Sequence, residues 1–555
     1  MVLVAMNWKV GQPPNDFVGF AIEYKEPGGD RFYAVTNRIA FPGTNGALNS
    51  KTLSTKLSPI QKFRWVHFPR NAELKGDFVY RVSPVFMNEA DELSYGDPQE
   101  AALPLRRDTY PGQLNVAFTR GFVSSQAFVD RYGAKSIPLL LPAKAADGLG
   151  FKPSYAKSAE ALAWMGFEAR SAILELLEQA IVDPTAEVRV IAYDLNDPEI
   201  VSRLVKLGAR LRIIVDDSDD HGEAGSAESM ATQMLVTSAG TGQVKRQHMG
   251  GLQHNKTIIV SGAKMNAAIA GSTNFSWRGM YVQNNNALIV HGPEAVRIFT
   301  SAFEAFWASS AAAAFGATTS AGWQSLGFKK IGARVTFSPR SKANAVLASI
   351  ADDMEKQTTS SLFFSLAFLS QTSGAIRGAL TRIQAAHKIF SYGIADKAVK
   401  ELANSNVVAS GIELTKPDGT MTVVHPEELT RNLPAPFNEE PTGGSGIRMH
   451  HKFLVIDFNK PTARVYVGSF NFSVAADLKN GENLLCIRDR RVATSYMIEA
   501  LRIFDHYHFR VATAEAAKAG GKFQLALPPR KPGDVPWWTD SYTNPTKIRD
   551  RELFA

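Results

Sequence analysis

The sequence predicts an α/β protein made of two related halves, preceded by a small all-β region. Two observations lead to this prediction. From about residue 113 onward, strand-type and helix-type segments alternate, as they do in β-α-β units. In addition, one polar motif occurs twice, each time at the start of a strand-type segment. A repeated motif in a repeated structural context indicates an internal duplication.

Residues 1–112 are expected to form an immunoglobulin- or fibronectin type III-like β-sandwich. Phe78, Tyr80 and Val82 alternate with neighbours that are more polar or less bulky, which is the period of two that a half-buried strand shows. Short segments of this kind are separated by polar turn residues, and no long helical pattern interrupts them. No chemical motif lies in this region, so we interpret it as an accessory module.

The first half is assigned to residues 113–335 and contains a clear β-α-β unit. A helix is predicted over 160–180, and a strand over 188–193 follows it. A second helix, 199–207, then leads to a strand over 211–215. Such units imply a mixed, mostly parallel sheet flanked by helices.

The second half, residues 336–520, repeats this order, and residues 521–555 form a C-terminal tail of irregular chain. The elements predicted in the second half are a helix over 344–354, a strand over 361–366, a helix over 375–386 and a strand over 389–392. The duplication therefore extends to the predicted secondary structure.

The repeated motif joins an H-x-K triplet to a GS-x-NFS segment about 20 residues later. The first copy supplies His254, Lys256, Ser272 and Asn274, and the second supplies His450, Lys452, Ser469 and Asn471. In each copy the Lys opens a predicted strand. Two copies with matched polar residues indicate one shared site that handles a negatively charged group.

Two polar, glycine-rich stretches, residues 221–251 and 416–446, each directly precede an H-x-K triplet. Long loops inside compact domains are usually functional or disordered. We therefore expect these stretches to be loops that cover the site.

Composition excludes several classes of protein. The 555 residues carry a formal net charge of +8, and 45% are hydrophobic. The single cysteine, Cys486, excludes an intramolecular disulfide framework and a cysteine-rich zinc site. We find no signal-peptide pattern and no apolar stretch of about 18 residues, so we expect a cytoplasmic protein, or one exported without a conventional signal, that has no membrane span.

The two motifs resemble those of the phospholipase D superfamily, H-x-K-x4-D followed by GS-x-N, over roughly residues 113–515. The second copy is complete, with Asp457 after the triplet and Glu482 beyond the GS-x-N segment. The first copy departs from the pattern, since Ser261 replaces the Asp, and Asn285 stands where the second copy has Glu482. The resemblance implies a site on a pseudo-twofold axis between the halves.

These residue types suit attack on a phosphodiester without any cofactor or metal ion. Lysine ammonium groups and asparagine amides can hold the charged oxygens and stabilise the transition state. One imidazole can attack phosphorus, while the other acts as general acid and base. The catalytic residues predicted are His254, His450, Lys256, Lys452, Asn274, Asn471 and Glu482, and the supporting residues are Asp457, Ser272, Ser469 and Asn285.

In the family, the carboxylate after GS-x-N orients the histidine of the opposite half. Carried over, Glu482 would bond His254 and increase its basicity, and Asn285 would face His450 without adding charge. This asymmetry favours His254 as the nucleophile and His450 as the general acid and base. If Glu482 pairs within its own half, the roles reverse.

Other polar and aromatic residues have structural interpretations. Strand alternation should turn His451 away from the site. His506 and His508 lie in a C-terminal helix and are expected to be packing or surface residues and not ligands. Asp216-Asp217 ends a strand and could approach the site, but a solvated turn is the favoured interpretation. Trp277 is equally consistent with a pocket wall and with the core.

The predicted function is a phospholipase D-type phosphodiesterase that hydrolyses or transfers phospholipid head groups through a phosphohistidine. A phospholipid surface is favoured as partner over nucleic acid, and a monomer suffices because both motifs lie in one chain. A nuclease of the same superfamily is the alternative, because the chain is basic. A non-catalytic binding protein with a degraded first half is a second alternative.

Overall fold

The computed structural model describes residues 1–8, 10–43, 53–106, 108–121, 126–369, 372, 374–386, 388–396, 412–416, 421–424 and 449–555. These residues divide into two compact units. The first unit contains the N-terminal region up to about residue 107 together with residues 501–555. The second contains both copies of the repeated motif, within residues 108–426 and 440–500.

The N-terminal strands are antiparallel throughout. They are β1 Val2–Ala5, β2 Phe17–Lys25, β3 Phe32–Ala34, β4 Arg64–His67, β5 Asp77–Met87, β6 Leu93–Tyr95 and β7 Gln99–Pro104. Five form a sheet in which β2 pairs with β3 and β5, and β5 pairs with β6 and β7, while β1 pairs with β4. Phe78 and Tyr80 point into the core as their alternation predicts. The assignment of this region to the immunoglobulin or fibronectin class stays a prediction.

The first half of the second unit is a seven-stranded mixed sheet flanked by helices. Its strands are β8 Leu114–Phe118, β9 Glu187–Ala192, β10 Leu211–Val215, β11 Val244–Arg246, β12 Lys256–Ser261, β13 Asn266–Gly271 and β14 Asn286–His291. Its helices are α1 Gln126–Tyr132, α2 Ile137–Leu140, α3 Ser158–Val182, α4 Pro198–Leu207, α5 Ala227–Ala239, α6 Pro293–Ala308 and α7 Ala312–Gly316. The strand order is β11-β10-β9-β12-β13-β14-β8.

The second half contains a nine-stranded mixed sheet. Its strands are β15 Gln324–Ser325, β16 Gly332–Ser338, β17 Ser361–Leu366, β18 Phe390–Ala395, β19 Ile412–Thr415, β20 Met421–Val424, β21 Lys452–Ile456, β22 Arg464–Gly468 and β23 Glu482–Arg488. Its helices are α8 Leu347–Lys356, α9 Ala375–Ala386, α10 Val474–Leu478 and α11 Arg490–Lys518. The strand order is β15-β16-β23-β22-β21-β17-β18-β19-β20.

The two sheets share one topology. The order β10-β9-β12-β13-β14-β8 in the first half matches β18-β17-β21-β22-β23-β16 in the second, strand for strand. In both halves the strand that follows H-x-K pairs antiparallel with the first strand of the β-α-β unit. The α/β class and the duplicated arrangement are therefore confirmed.

The expected proportion of parallel strands was wrong. Among the described strands, only β9, β10 and β11 in the first half and β17 and β18 in the second pair in parallel. The strand that opens at H-x-K and the two strands after it instead follow one another as an antiparallel meander. Short connections such as Gly262–Met265 permit only this antiparallel return.

Helix α4 shows how local sequence sets an element. Asp197 caps its N-terminus by accepting hydrogen bonds from the backbone N–H groups of Glu199 and Ile200. Pro198 occupies the first turn, where its missing N–H costs nothing. The apolar residues Ile200, Val201, Leu204 and Leu207 recur at helical spacing and are buried in the core of the first half.

The stretch 221–251 is not a long loop, contrary to expectation. Residues Ala227–Ala239 form α5, and Val244–Arg246 form an edge strand. Small residues such as Ala231 and Ala239 line the buried side of α5, so its apolar face was hard to recognise in the sequence. Gly240 ends the helix at a positive φ of 99°. Most of the other predicted loop, 416–446, lies outside the described residues.

The C-terminal residues are more ordered than the irregular tail that was expected. They contain helices α12 Asp540–Thr543 and α13 Pro545–Phe554. Trp537 packs against Phe17 and Phe63, with ring centroids 5.6 and 5.4 Å apart. The tail therefore completes the core of the N-terminal unit. Within the described part of the chain, no helix is both long enough and apolar enough to cross a bilayer.

Candidate active site

The structure brings the two H-x-K triplets together at the meeting point of the two halves. Lys256 opens β12 and Lys452 opens β21, so each lysine lies at the start of a central strand. The rings of His254 and His450 face each other across this junction, with centroids 6.5 Å apart. All four side chains are buried.

Each histidine is held by a residue of the opposite half. His254 Nδ1 lies 2.8 Å from Glu482 Oε2, and His450 Nδ1 lies 2.9 Å from Asn285 Oδ1. These are the cross-half contacts that the sequence led us to expect. Because Nδ1 of each ring is engaged, Nε2 is the nitrogen left for chemistry.

The GS pair of the motif places the carboxylate. Ser469 Oγ donates a hydrogen bond of 2.6 Å to Glu482 Oε2 and accepts one from the backbone N–H of Asn483. A side chain at Gly468 would put its Cβ 2.1 Å from the carbonyl oxygen of Asn483, so only glycine permits this approach of β22 to β23. In the first half, Ser272 accepts only from Asn286, where no carboxylate needs support.

The two motif asparagines come about 20 residues after the histidines and lie three residues past the ends of β13 and β22. Asn274 is buried, and its Oδ1 has no hydrogen-bond partner among the described residues. The same holds for Asn471 Oδ1. Buried amide groups are normally satisfied, so these two are suited to bind a ligand.

The lysines rest on aromatic rings that the sequence analysis did not single out. Lys256 Nζ lies 4.6 Å from the centroid of Tyr193 and donates to the carbonyl oxygen of His254. Lys452 Nζ lies 5.7 Å from the centroid of Phe368 and 3.0 Å from Nε2 of His450. Tyr193 comes directly after β9 and Phe368 two residues after β17, and these are the first strands of the β-α-β units in the two halves. This matching position is the sequence signal by which the two rings could have been found.

Burial and mutual repulsion set the charge states. Burial and the neighbouring lysines hold the pKa of His254 and of His450 well below the usual histidine range. Burial lowers the pKa of Lys256 to about 8 and, together with Lys256, lowers that of Lys452 strongly. Burial also raises the pKa of Glu482 to about 8, against the opposing effect of Lys256. The histidines are therefore neutral, as a nucleophilic imidazole must be.

A second layer of contacts ties the halves together beneath the site. Asn483 Nδ2 donates to Asn255 Oδ1 at 3.1 Å, and Asn286 Nδ2 lies 3.2 Å from His451 Nδ1. His451 also contacts Glu499 at 2.8 Å. His451 points away from the site, as predicted, and helps to join the halves.

Two further sequence interpretations are decided by the structure. Trp277 belongs to the core, where its indole N–H donates to the carbonyl of Gly148 at 2.9 Å and its ring packs on Phe151. Asp216 does not form a solvated turn, because its side chain is fully buried. It accepts a 2.6 Å hydrogen bond from the backbone N–H of Gln253, the residue before His254.

The first half has no motif aspartate, but a carboxylate from another segment connects the equivalent pair of strands. In the second half, buried Asp457 lies after β21 and accepts from the backbone N–H groups of Thr359, Ser360 and Ser361, where β17 begins. In the first half, Asp183 lies before β9 and accepts from the N–H of Lys264, after β12. A carboxylate thus closes both junctions.

One group of side chains has the spacing of a metal site among the described residues. Ligand atoms of Asp194, His221 and Glu228 lie within 4.8 Å of one another. Burial lowers the pKa of His221, but hydrogen bonds to Asp194 and Asp216 outweigh it and raise the pKa to about 10. Both nitrogens of this ring already pair with carboxylates, Nδ1 with Asp216 and Nε2 with Asp194.

Parts of both halves of the chain resemble known proteins. The sequence profile of a family described as cardiolipin synthase, PLD-like domain, matches residues 175–307 and 424–504. The phospholipase D proteins of Rickettsia prowazekii (strain Madrid E) and Rickettsia typhi are each 48% identical over 48 residues. That match covers 9% of this chain and spans only 22% of the length of either relative.

Two solved structures are also similar. One is a phospholipase D family member, Nuc from Salmonella typhimurium, with 22% identity over 25% of this chain and 87% of that chain, at a TM-score of 0.21. The other is phosphatidylserine synthase from Haemophilus influenzae, with 12% identity over 61% of this chain and 85% of that chain, at a TM-score of 0.42.

The α/β fold, with paired H-x-K and GS-x-N motifs around two facing histidines, is of the phospholipase D-like class. The matching family profile and the matched relatives support placement in the phospholipase D superfamily.

We expect Asp457→Ala to lower the free energy of unfolding by about 2–4 kcal/mol, because several buried backbone N–H groups lose their acceptor. Chemical denaturation followed by circular dichroism measures this change. The matched control is Asp352→Ala, which removes an exposed ion pair with Lys356 and should cost no more than about 0.5 kcal/mol. Equal losses in both variants would contradict the junction role of Asp457.

We expect Glu482→Gln to stabilise the fold more at alkaline than at acidic pH. A carboxyl whose pKa rises from 4.5 to about 8 on folding contributes stability at low pH, and that contribution is lost as pH rises from 4.5 to about 8. Glutamine does not titrate, so the melting temperature of the variant minus that of the wild type should increase between pH 5 and pH 8.5. Exposed Glu294→Gln is the control and should show no such increase. A difference for Glu482→Gln that is flat or decreasing would refute the shift.

Proposed function

We propose that this protein is a phospholipase D-type phosphodiesterase that hydrolyses or transfers phospholipid head groups through a phosphohistidine intermediate. The observation that carries the proposal is the pair of buried, facing imidazoles, each anchored by the opposite half and flanked by a lysine. Membership of the superfamily supports action on a phosphodiester.

In the first step, His254 Nε2 attacks phosphorus. An N–P bond forms while the bond from phosphorus to the leaving oxygen breaks, and His450 supplies a proton to that oxygen. The attacking ring becomes cationic and still holds a proton on Nδ1, which Glu482 accepts in a hydrogen bond. Burial raises the pKa of Glu482 to about 8, and the cationic ring favours its ionised form, which then stabilises the cation by direct charge pairing.

In the second step, water or an alcohol attacks the phosphohistidine. The incoming oxygen loses its proton to His450 as it bonds to phosphorus, and the N–P bond breaks to release His254. Water gives hydrolysis, and an alcohol gives head-group transfer. Both histidines return to their starting charge states.

Two features favour His254 over His450 as the nucleophile. Glu482 is a carboxylate and can stabilise a cationic ring, whereas Asn285 adds no charge. In addition, Lys452 Nζ donates towards Nε2 of His450 at 3.0 Å and occupies the lone pair that attack would need. His450 is therefore better suited to exchange protons with the leaving and entering oxygens.

The remaining motif residues would bind the phosphoryl oxygens. Lys256 and Lys452 supply positive charge in a buried site, where it is worth more than in water. Asn274 and Asn471 would donate their amide N–H groups to these oxygens, and their Oδ1 atoms, which have no partner among the described residues, can accept a hydrogen bond from water or an attacking alcohol. An anionic phosphodiester would offset the lysine charges, which allows a histidine to hold the proton that the first step requires.

A lipid substrate is supported by the names of the proteins that this chain resembles. The matching family is described as cardiolipin synthase, PLD-like, and the matched relatives are named phospholipase D. A nuclease is the second candidate because the chain carries a net charge of +8, which attracts polyanions. Both functions would use the same site, and one chain supplies both histidines, so a monomer is sufficient.

The third candidate, a non-catalytic binding protein, rested on the loss of the motif aspartate at Ser261. Asp183 closes the corresponding junction of the first half, so this loss does not indicate decay. His254, Lys256 and Asn274 are also in place.

We expect both His254→Ala and His450→Ala to lower turnover of bis(p-nitrophenyl) phosphate by a factor of about 10³ or more, since nucleophile and general acid are both needed. Quenching at alkaline pH, where the N–P bond survives, followed by peptide mass spectrometry should locate the phosphoryl group on His254 in the wild type. His248→Ala, at an exposed position, is the control and should retain activity. Unchanged turnover in either site variant would refute the site, and a phosphoryl group on His450 would reverse the roles.

We expect the protein to release choline from phosphatidylcholine vesicles faster than it nicks plasmid DNA when one preparation is assayed on both. Nicking that exceeds lipid turnover, and that falls steeply with salt, would instead identify a nuclease. His254→Ala separates either activity from a contaminating enzyme, because a contaminant would be unaffected.

A further inference from the structure

A cluster of three charged side chains lies beside the first H-x-K triplet, and the phosphodiester chemistry above does not use it. His221 Nδ1 lies 2.9 Å from Asp216 Oδ2, and its Nε2 lies 3.3 Å from Asp194 Oδ1. The two carboxylates therefore pair with the two different nitrogens of the His221 ring. Asp216 also accepts hydrogen bonds from the hydroxyl and the backbone N–H of Ser218.

The cluster reaches His254 through the backbone. Asp216 Oδ1 accepts a hydrogen bond of 2.6 Å from the N–H of Gln253, the residue immediately before His254. Both Asp216 and Gln253 are fully buried, so water does not compete for this bond. With one oxygen on His221 and the other on Gln253, Asp216 links the two rigidly.

The cluster reaches His254 a second time through an aromatic ring. His221 packs edge-on against Tyr193, with centroids 4.5 Å apart, and Tyr193 packs against His254 at 4.7 Å. Lys256 lies over the same ring at 4.6 Å. Tyr193 thus stands between His221 and the catalytic pair of the first half.

The matching aspartate of the second half makes a different contact. Asp396 follows β18 as Asp216 follows β10, and it accepts a hydrogen bond from the backbone N–H of Phe368. His221 lies five residues after Asp216, and the residue five positions after Asp396 is Glu401. The sequence therefore places a histidine at this spacing in the half that carries the proposed nucleophile and a glutamate in the other half.

We propose that Asp194, His221 and Asp216 form a clamp that positions His254 for attack, with His221 as the residue that joins its two arms. The proposal rests on the function proposed above and assigns His221 a positioning role. It predicts that loss of His221 slows the step in which His254 attacks and leaves substrate binding largely unchanged.

The test compares the wild type with His221→Ala in pre-steady-state reactions with bis(p-nitrophenyl) phosphate in excess over the enzyme. The burst of p-nitrophenolate measures phosphoenzyme formation, and the later steady rate measures its breakdown. We expect formation to slow about 10- to 100-fold in the variant, the cost of a misplaced reacting group, while KM changes less than about twofold. Added imidazole should restore part of the rate, because it can reoccupy the space beside Asp194 and Asp216.

A second measurement does not depend on catalysis. Amide hydrogen exchange should become faster in His221→Ala for peptides that contain Gln253 and His254, and should stay unchanged for peptides that contain His450. His248→Ala is the matched control, since this neighbouring histidine pairs with Asp217 at an exposed position. It should alter neither exchange nor rate.

The two measurements separate failure of the clamp from failure of the proposed function. Unchanged exchange around His254 in a folded His221→Ala variant would overturn the clamp, whatever the enzyme does. A wild type that shows no burst, but in which His221→Ala speeds exchange at Gln253, would support the clamp and refute the proposed chemistry. Equal slowing of formation and breakdown, without imidazole rescue, would reduce His221 to a structural role and also overturn the clamp.

Discussion

The site depends on one contact, the hydrogen bond between His254 of the first half and Glu482 of the second. It fixes the ring, selects which nitrogen is free and places a carboxylate beside a histidine that burial and lysines keep neutral. Much of the second half near this point serves the same carboxylate: Gly468 lets the strands approach, and Ser469 orients the group.

The equivalent contact on the other side, between His450 and Asn285, has the same geometry and a different charge. The two copies of the motif differ at the residue that contacts the histidine of the opposite half, which is the carboxylate Glu482 for His254 and the amide Asn285 for His450. A buried site with four cationic or potentially cationic side chains cannot keep every group charged, since like charges and desolvation oppose it. The observed balance leaves neutral imidazoles and lysines with lowered pKa values, ready to be recharged by an anion.

The sequence allowed the duplication and the central elements to be predicted because each leaves a local or repeated signal, whereas the cross-half pairing was implied by the resemblance to the family. Helix α4 and strands β10 and β17 were predicted from the alternation of helix-type and strand-type segments. Helix α5 was missed because its buried face is made of small residues in a glycine-rich stretch. The burial of Asp216 could not be predicted, since it depends on a contact with Gln253 that only the folded chain brings about.

The exchange of Asp457 for Asp183 has a consequence for how such sites change over time. In each half a carboxylate links the start of the first β-α-β strand to the end of the strand that follows H-x-K, and we call this place the seam. Asp457 supplies it from the end of β21, whereas Asp183 supplies it from the segment before β9. The fold thus needs a hydrogen-bond acceptor at this seam, but residues at different sequence positions can supply it. A half whose motif lacks its aspartate can therefore be structurally whole, and an incomplete signature in such a chain says little about loss of function until the seam itself is inspected.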